Sequence, residues 1–134
     1  MKVFLDTNVL ASALATRGLC AELFESVLTG HELLVSHELL VELRRILTTK
    51  LRIPADTADA FLTLIEANAM SLAAPAEFPA GISDPDDAPL IAAGLAGGAE
   101  CFVTGDKALL DLGSVDGMAV ISPRRFWELT RHGR

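Results

Sequence analysis

The sequence predicts an α/β domain with a central parallel sheet covered by helices on both faces. Short apolar runs at residues 3–5, 33–35, 100–104 and 118–121 lack a polar side, as strands buried on both faces do. Longer segments with apolar residues at helical spacing lie between them. The connections are short, and alternating strands and helices give a parallel sheet. The 134 residues are the size of one domain, and residues 1–134 are read as a single unit.

In order, Val3, Phe4 and Leu5 form the first strand, followed at once by Asp6-Thr7-Asn8, residues that cap helices or shape turns. An Ala-rich helix covers 9–14 and ends near Thr16-Arg17-Gly18. Leu19, Cys20, Leu23, Phe24, Val27 and Leu28 mark a second helix, stopped by Gly30. After the strand at 33–35, Ser36 caps a third helix over 37–51, whose stripe is Leu39, Leu40, Leu43, Ile46 and Leu47. Pro54 separates it from a fourth helix over 56–68, with Ala60, Phe61, Leu64, Ile65 and Ala67 inward, and the two pack as a hairpin. Residues 70–72 can form a short strand, and 73–83, with Pro75, Pro79 and Gly81, reads as a loop. Ser83-Asp84-Pro85-Asp86-Asp87 opens a helix through Leu95 that Gly97-Gly98 ends. After the strand at 100–104, a turn at Gly105-Asp106 precedes a short helix with Leu109, Leu110 and Leu112. Ser122-Pro123 follows the last strand and starts a helix packed through Phe126, Trp127 and Leu129.

Hydrophobic residues make up 51% of the chain and charged residues 22%, enough for a packed core. The mean hydropathy of +0.40 is high for a small domain and points to apolar surface covered by a partner or a second copy. A net charge of −7 argues against simple electrostatic binding of nucleic acid unless the acids are gathered in a metal site. Basic residues cluster at Arg44, Arg45, Lys50 and Arg52, and again at Arg124, Arg125, Arg131 and Arg134. Cys20 and Cys101 have no metal-ligand spacing and read as small core residues. His31, His37 and His132 read as surface residues. Neither a signal peptide nor a membrane span is expected, and the expected compartment is the cytoplasm.

The functional signal is acidic. Asp6, Glu42, the group Asp84, Asp86 and Asp87, and Asp106 each fall at or just after a strand end. A parallel sheet presents its carboxyl ends along one edge, where ligands bind. Each acid alone is explained by capping, a turn or a solvated helix face. Together they form a set of hard oxygen ligands suited to Mg²⁺ or Mn²⁺, and without a cation they could not all stay ionised. Hydrolysis of a phosphodiester fits such a site.

These residues resemble a PIN-domain protein, close to the toxins of VapC-type toxin–antitoxin systems. The matching stretches are Phe4-Leu5-Asp6-Thr7-Asn8-Val9-Leu10, Ser36 with Leu39 to Leu43 around Glu42, Asp84-Pro85-Asp86-Asp87, Thr104-Gly105-Asp106-Lys107 and Ser122-Pro123-Arg124-Arg125-Phe126. The resemblance implies a three-layer sandwich and a Mg²⁺- or Mn²⁺-dependent endoribonuclease that leaves a 5′-phosphate and a 3′-hydroxyl. It implies that Asp6, Glu42 and Asp106 are metal-binding catalytic acids, and that Asn8, Ser36 and Thr104 support them. Asp87, nearest the helix body, is the chosen further acid, with Asp84 and Asp86 as alternatives in a supporting role. The resemblance also implies a cognate antitoxin and a homodimer. Arg44, Arg45 and Lys50 are the expected RNA contacts. A catalytically silent PIN-like binding domain and a Mg²⁺-binding phosphoacceptor domain are the other readings.

Overall fold

β1 (Lys2–Leu5) takes the centre of the sheet because Val3, Phe4 and Leu5 leave it no side that tolerates water, and all three are fully buried. The computed structural model describes residues 1–132 apart from Ala74, Ala76, Glu77, Ala80 and Ser83. Ser83, Arg134 and the side chain of His132, all named above, lie outside the described residues. After β1 come α1 (Thr7–Ala15), α2 (Leu19–Gly30), β2 (Glu32–Ser36), α3 (His37–Arg45) with a π-helical turn (Ile46–Lys50), α4 (Ala55–Asn68) and β3 (Ala69–Leu72). Then follow α5 (Ala88–Ala96), β4 (Cys101–Val103), α6 (Lys107–Leu110), β5 (Ser114–Val115), β6 (Met118–Ile121) and α7 (Pro123–His132).

The strands lie in the order β3-β2-β1-β4-β6-β5. Val3 pairs with Leu33 on one side and Cys101 on the other, so the carboxyl ends of β1, β2 and β4 come out together. Alternation sends Phe4, Leu34 and Phe102 to the face covered by α5, where the Phe4 and Phe102 rings stack at 5.0 Å. Gly94 permits that close approach: a Cβ there would sit 3.6 Å from both Phe4 and Phe102 and 3.2 Å from the Met118 sulfur. Val3, Leu5, Leu33 and Val35 alternate to the opposite face and are equally buried.

The α/β class and the mostly parallel sheet agree with the expectation. The sheet is not wholly parallel, because β5 pairs antiparallel with β6. Asp116 and Gly117, both at positive φ (47° and 88°), make a tight two-residue turn between Val115 and Met118. That Asp-Gly pair is the sequence signal for the hairpin. The long helix expected over 37–51 changes to a π-helical turn at Ile46, and α1 begins at Thr7 rather than Val9. In α4 the buried residues are Ala58, Phe61, Leu62 and Ile65, while Ala60, Leu64 and Ala67 face out. The helical hairpin forms, and the Arg44 guanidinium pairs with Asp59 across it at 2.9 Å. Cys101 is buried, whereas Cys20 is half-buried against the core. His31 is no free surface residue, since its ring meets Phe126 edge-on at 5.6 Å. Among the described side chains of α7 only Phe126 is fully buried; Trp127 is half-buried and Leu129 exposed. No helix among the described residues is long and apolar enough to cross a membrane.

Candidate active site at the carboxyl edge of the sheet

The acids expected at strand ends divide: Asp6 follows β1 and Asp106 follows β4, whereas Glu42 lies on the second turn of α3 and Asp84, Asp86 and Asp87 follow β3 only after residues 73–83. Asp6 ends β1 and is the N-cap of α1; its backbone N–H donates to the carbonyl of Val103 on β4. Asp106, after β4, caps α6 by accepting from the Ala108 N–H at 2.9 Å. Asp87 holds the N-cap position of α5 but makes no capping bond with its side chain. Its carboxylate is therefore left for another partner. Asp6, Asp87 and Asp106 thus each sit at the positive end of a helix, which favours a negative charge there, whereas Glu42 lies beyond the first turn of α3.

Asp6 is 4% exposed, and its carboxylate accepts three hydrogen bonds, which leaves acceptor capacity on Oδ1. Oδ1 accepts from the Thr7 N–H at 2.8 Å. Oδ2 accepts from the Thr104 hydroxyl at 2.7 Å and from the Asn8 amide at 3.2 Å. Both helpers reach on to the next loop. Thr104 Oγ1 accepts from the Asp106 N–H at 3.0 Å, and Asn8 Oδ1 accepts from the Gly105 N–H at 3.0 Å. The loops after β1 and β4 are thus stitched into one unit that fixes Asp6 relative to Asp106. Ser36 serves differently. Its hydroxyl, fully buried, accepts from the Leu39 N–H at 3.1 Å and caps α3, the helix that carries Glu42.

Asp6, Glu42, Asp84, Asp86, Asp87 and Asp106 line one cleft of about 470 Å³. Ala11, Ser12 and Thr16 of α1 form part of its wall, and Ile46, Lys50 and Leu51 complete it after α3. The acids repel one another. Burial, then the charges of Asp6, Asp84, Asp106 and Glu42, push the Asp87 carboxyl up to about 6. Burial first, then Asp6, raises the Glu42 carboxyl, against relief from Arg45. Burial also raises Asp6, opposed by its hydrogen bonds from Thr104, Thr7 and Asn8. Asp84 accepts from the Asp86 N–H at 2.8 Å, which folds the approach to α5 into a turn.

Of the expected RNA contacts, Lys50 lines this cleft. Arg45 lies beside Glu42 in a neighbouring hollow of about 570 Å³ with His37, Glu38, Val41 and Asp86. Arg44 is turned to Asp59 and lines neither. Thr7 carries only the sequence expectation of capping a helix or shaping a turn. It is 3% exposed and lines the cleft, and its hydroxyl oxygen is the buried side-chain polar atom without a partner among the described residues. Its position directly after Asp6 was the available sign. Among the described residues, no three His, Cys, Asp or Glu side chains are already drawn together to hold an ion.

The fold is similar to that of VapBC2 from Rickettsia felis, solved in crystals bound to a DNA fragment from their promoter. The likeness has a TM-score of 0.64 at 14% identity and covers 91% of this chain and 98% of that one. By sequence, the curated proteins offer no match. The profile of the PIN domain matches residues 2–108, which include all the acids of the cleft. The chain therefore belongs to the PIN-domain family.

Proposed function

We propose that this protein is a divalent-cation-dependent endoribonuclease and the toxin of a toxin–antitoxin pair. The observation that carries the reading is the cleft itself: carboxylates from the ends of β1 and β4, from α3 and from the approach to α5 share one space and raise one another's proton affinity. Membership in a family of nucleases supports hydrolysis of a phosphodiester, and it leaves the phosphoacceptor reading without support.

The residues present fit Mg²⁺ or Mn²⁺. The donors are hard oxygens, their crowding calls for a cation, and the Thr7 hydroxyl beside them lacks a partner. Asp6, Glu42, Asp87 and Asp106 would hold the ion, with Asp84 and Asp86 in support at the rim. Mg²⁺ keeps several waters, so the carboxylates need not touch one another to share it. When bound, the cation supplies an activated water and offsets charge on the leaving oxygen. The protein's own contribution is orientation. Thr104 and Asn8 hold the Asp6 carboxylate ionised and aimed, and Ser36 secures the helix that presents Glu42. Lys50, on the wall of the cleft, and Arg45, in the neighbouring hollow, would meet phosphates of the bound strand.

The fold shared with VapBC2 supports an antitoxin as partner. Exposed Val41, Leu64 and Met70 support a second copy of the chain as another. A toxin of this kind acts in the cytoplasm, on RNA. The test is incubation of a mixed RNA pool with the purified protein in Mg²⁺, in Mn²⁺ and in EDTA, beside Asp6→Asn. Cutting that needs the cation and vanishes in the variant is expected. Cutting retained at full rate by Asp6→Asn would overturn the assignment, and no cutting under any condition would shift it to a silent binding domain.

A further inference from the structure

The second basic cluster of the sequence lies on α7, away from the helix that carries Arg45. Phe126 anchors α7 in the core at 1% exposure. Arg124, Trp127 and Arg131 follow one another at three- and four-residue spacing, so they form one stripe, with Arg124 and Arg131 exposed on the side away from Phe126 and half-buried Trp127 at its margin. Arg124 stands well into solvent, with 81% of its side chain exposed, and its contact to Glu128 is a loose 3.7 Å. An exposed pair of that kind exchanges readily for another anion. The Arg131 guanidinium lies over the Trp127 ring at 5.3 Å. Both border a cavity of about 690 Å³ between the end of α2 and α7.

This stripe connects to the acids. Pro123, the first residue of α7, lines a shallow hollow of about 380 Å³ together with Asn8, Ser12 and Asp106. The last three also line the acidic cleft. From there α7 runs back along the molecule, and Arg124 to Arg131 spans about 10 Å of helix. The helix carries three arginines against one glutamate in a chain of net charge −7, so it is a basic strip on an acidic protein. Basic side chains interleaved with an aromatic ring suit single-stranded nucleic acid, whose phosphates pair with arginine while a base stacks on the ring.

We infer that the Arg124–Trp127–Arg131 stripe of α7 binds the single strand of RNA that leaves the acidic cleft past Asp106 and Pro123. The inference rests on the ribonuclease reading and adds a binding site outside the cleft. Trp127 is the single tryptophan of the chain, so its emission reports the site directly. The experiment titrates a fluorescein-labelled mixed-sequence single-stranded RNA into the full-length Asp6→Asn protein, which leaves the RNA uncut. Label anisotropy and tryptophan emission are read together, at several salt concentrations. Saturable quenching of Trp127 that tracks the anisotropy is expected. In the Arg124→Glu/Arg131→Glu background the dissociation constant should rise at least tenfold, and the log–log salt slope should fall by about 1.4, the loss of two single-strand phosphate contacts. Trp127→Phe should keep most of the affinity and Trp127→Leu should lose it, with circular dichroism showing both folded.

Saturated anisotropy with unchanged tryptophan emission, or full affinity in the double variant, overturns the inference and leaves the nuclease reading standing. Tighter binding of poly-glutamate than of RNA, lost in the double variant, assigns the stripe to an acidic polypeptide and also overturns it. If the wild-type protein neither cuts nor binds RNA, the nuclease reading fails and the inference falls with it.

Discussion

Asp6 is both a helix cap and the most constrained acid of the cleft, so its substitution separates fold from chemistry. Asparagine keeps an acceptor for the Thr7 N–H but removes the charge. Cleavage by Asp6→Asn should fall by on the order of a thousandfold while the thermal midpoint stays close to that of the parent. Thr104 is the more discriminating position. Its hydroxyl donates to Asp6 and accepts from the Asp106 N–H, so valine breaks both bonds while serine can restore them. Thr104→Val should lower cation affinity by about 10–100-fold in calorimetric titration, with Thr104→Ser near the parent. At this scale much was readable from the chain. Asp6 and Asp106 stand out as carboxylates at strand ends and Glu42 and Asp87 as further acids near helix starts, while the supporting role of Asn8 comes only from the family resemblance. The orphaned hydroxyl of Thr7 and the turn of Arg44 toward Asp59 were hidden, since each depends on which neighbours the fold supplies.

At the scale of elements, periodicity marked the long helices and the buried strands because each rests on many residues that agree. The exceptions were short or locally strained. β5 has two residues and no pattern of its own; only the Asp116-Gly117 turn announces it. The inward face of α4 was misplaced because Leu62 and Leu64 are equally apolar and burial alone separates them. The hairpin gives a clean test. Gly117 has φ of 88° with open space around it, so Gly117→Ala suffers from backbone conformation and not from a clash. It should destabilise the protein by about 1 kcal/mol, seen as a lower urea midpoint, and leave cleavage unaffected.

For the whole molecule, the charge cluster links stability to pH and to cation. Asp87, Glu42 and Asp6 all have carboxyls raised by folding. The folded state then binds more protons than the unfolded chain above pH 4, so metal-free stability is fullest in mild acid and declines as pH rises through about 6, the Asp87 value. Thermal melts in EDTA should show a higher midpoint at pH 5 than at pH 7.5. Adding Mg²⁺ should raise the midpoint more at pH 7.5, where the carboxylates are charged. Asp87→Asn should stabilise the metal-free protein at pH 7.5 by on the order of 1 kcal/mol, allowing for solvent screening, while reducing the response to Mg²⁺. A metal-free midpoint that rises between pH 5 and pH 7.5 would contradict this account.

The pairing of Val3 with Cys101 and of Asp6 with the carbonyl of Val103 has a temporal side. The strand that bears the first acid is synthesised well before β4, one of its two neighbours in the sheet, because 98 positions separate Asp6 from Thr104. Until β4 and Asp106 leave the ribosome, Asp6 has neither Thr104 to hold it nor a second acid across the cleft. A nascent chain therefore carries no assembled cleft, and closure of the long loop between β1 and β4 makes assembly a late step. On the ribonuclease reading, the messenger that encodes the protein is out of reach of that nascent chain until β4 and Asp106 have been made.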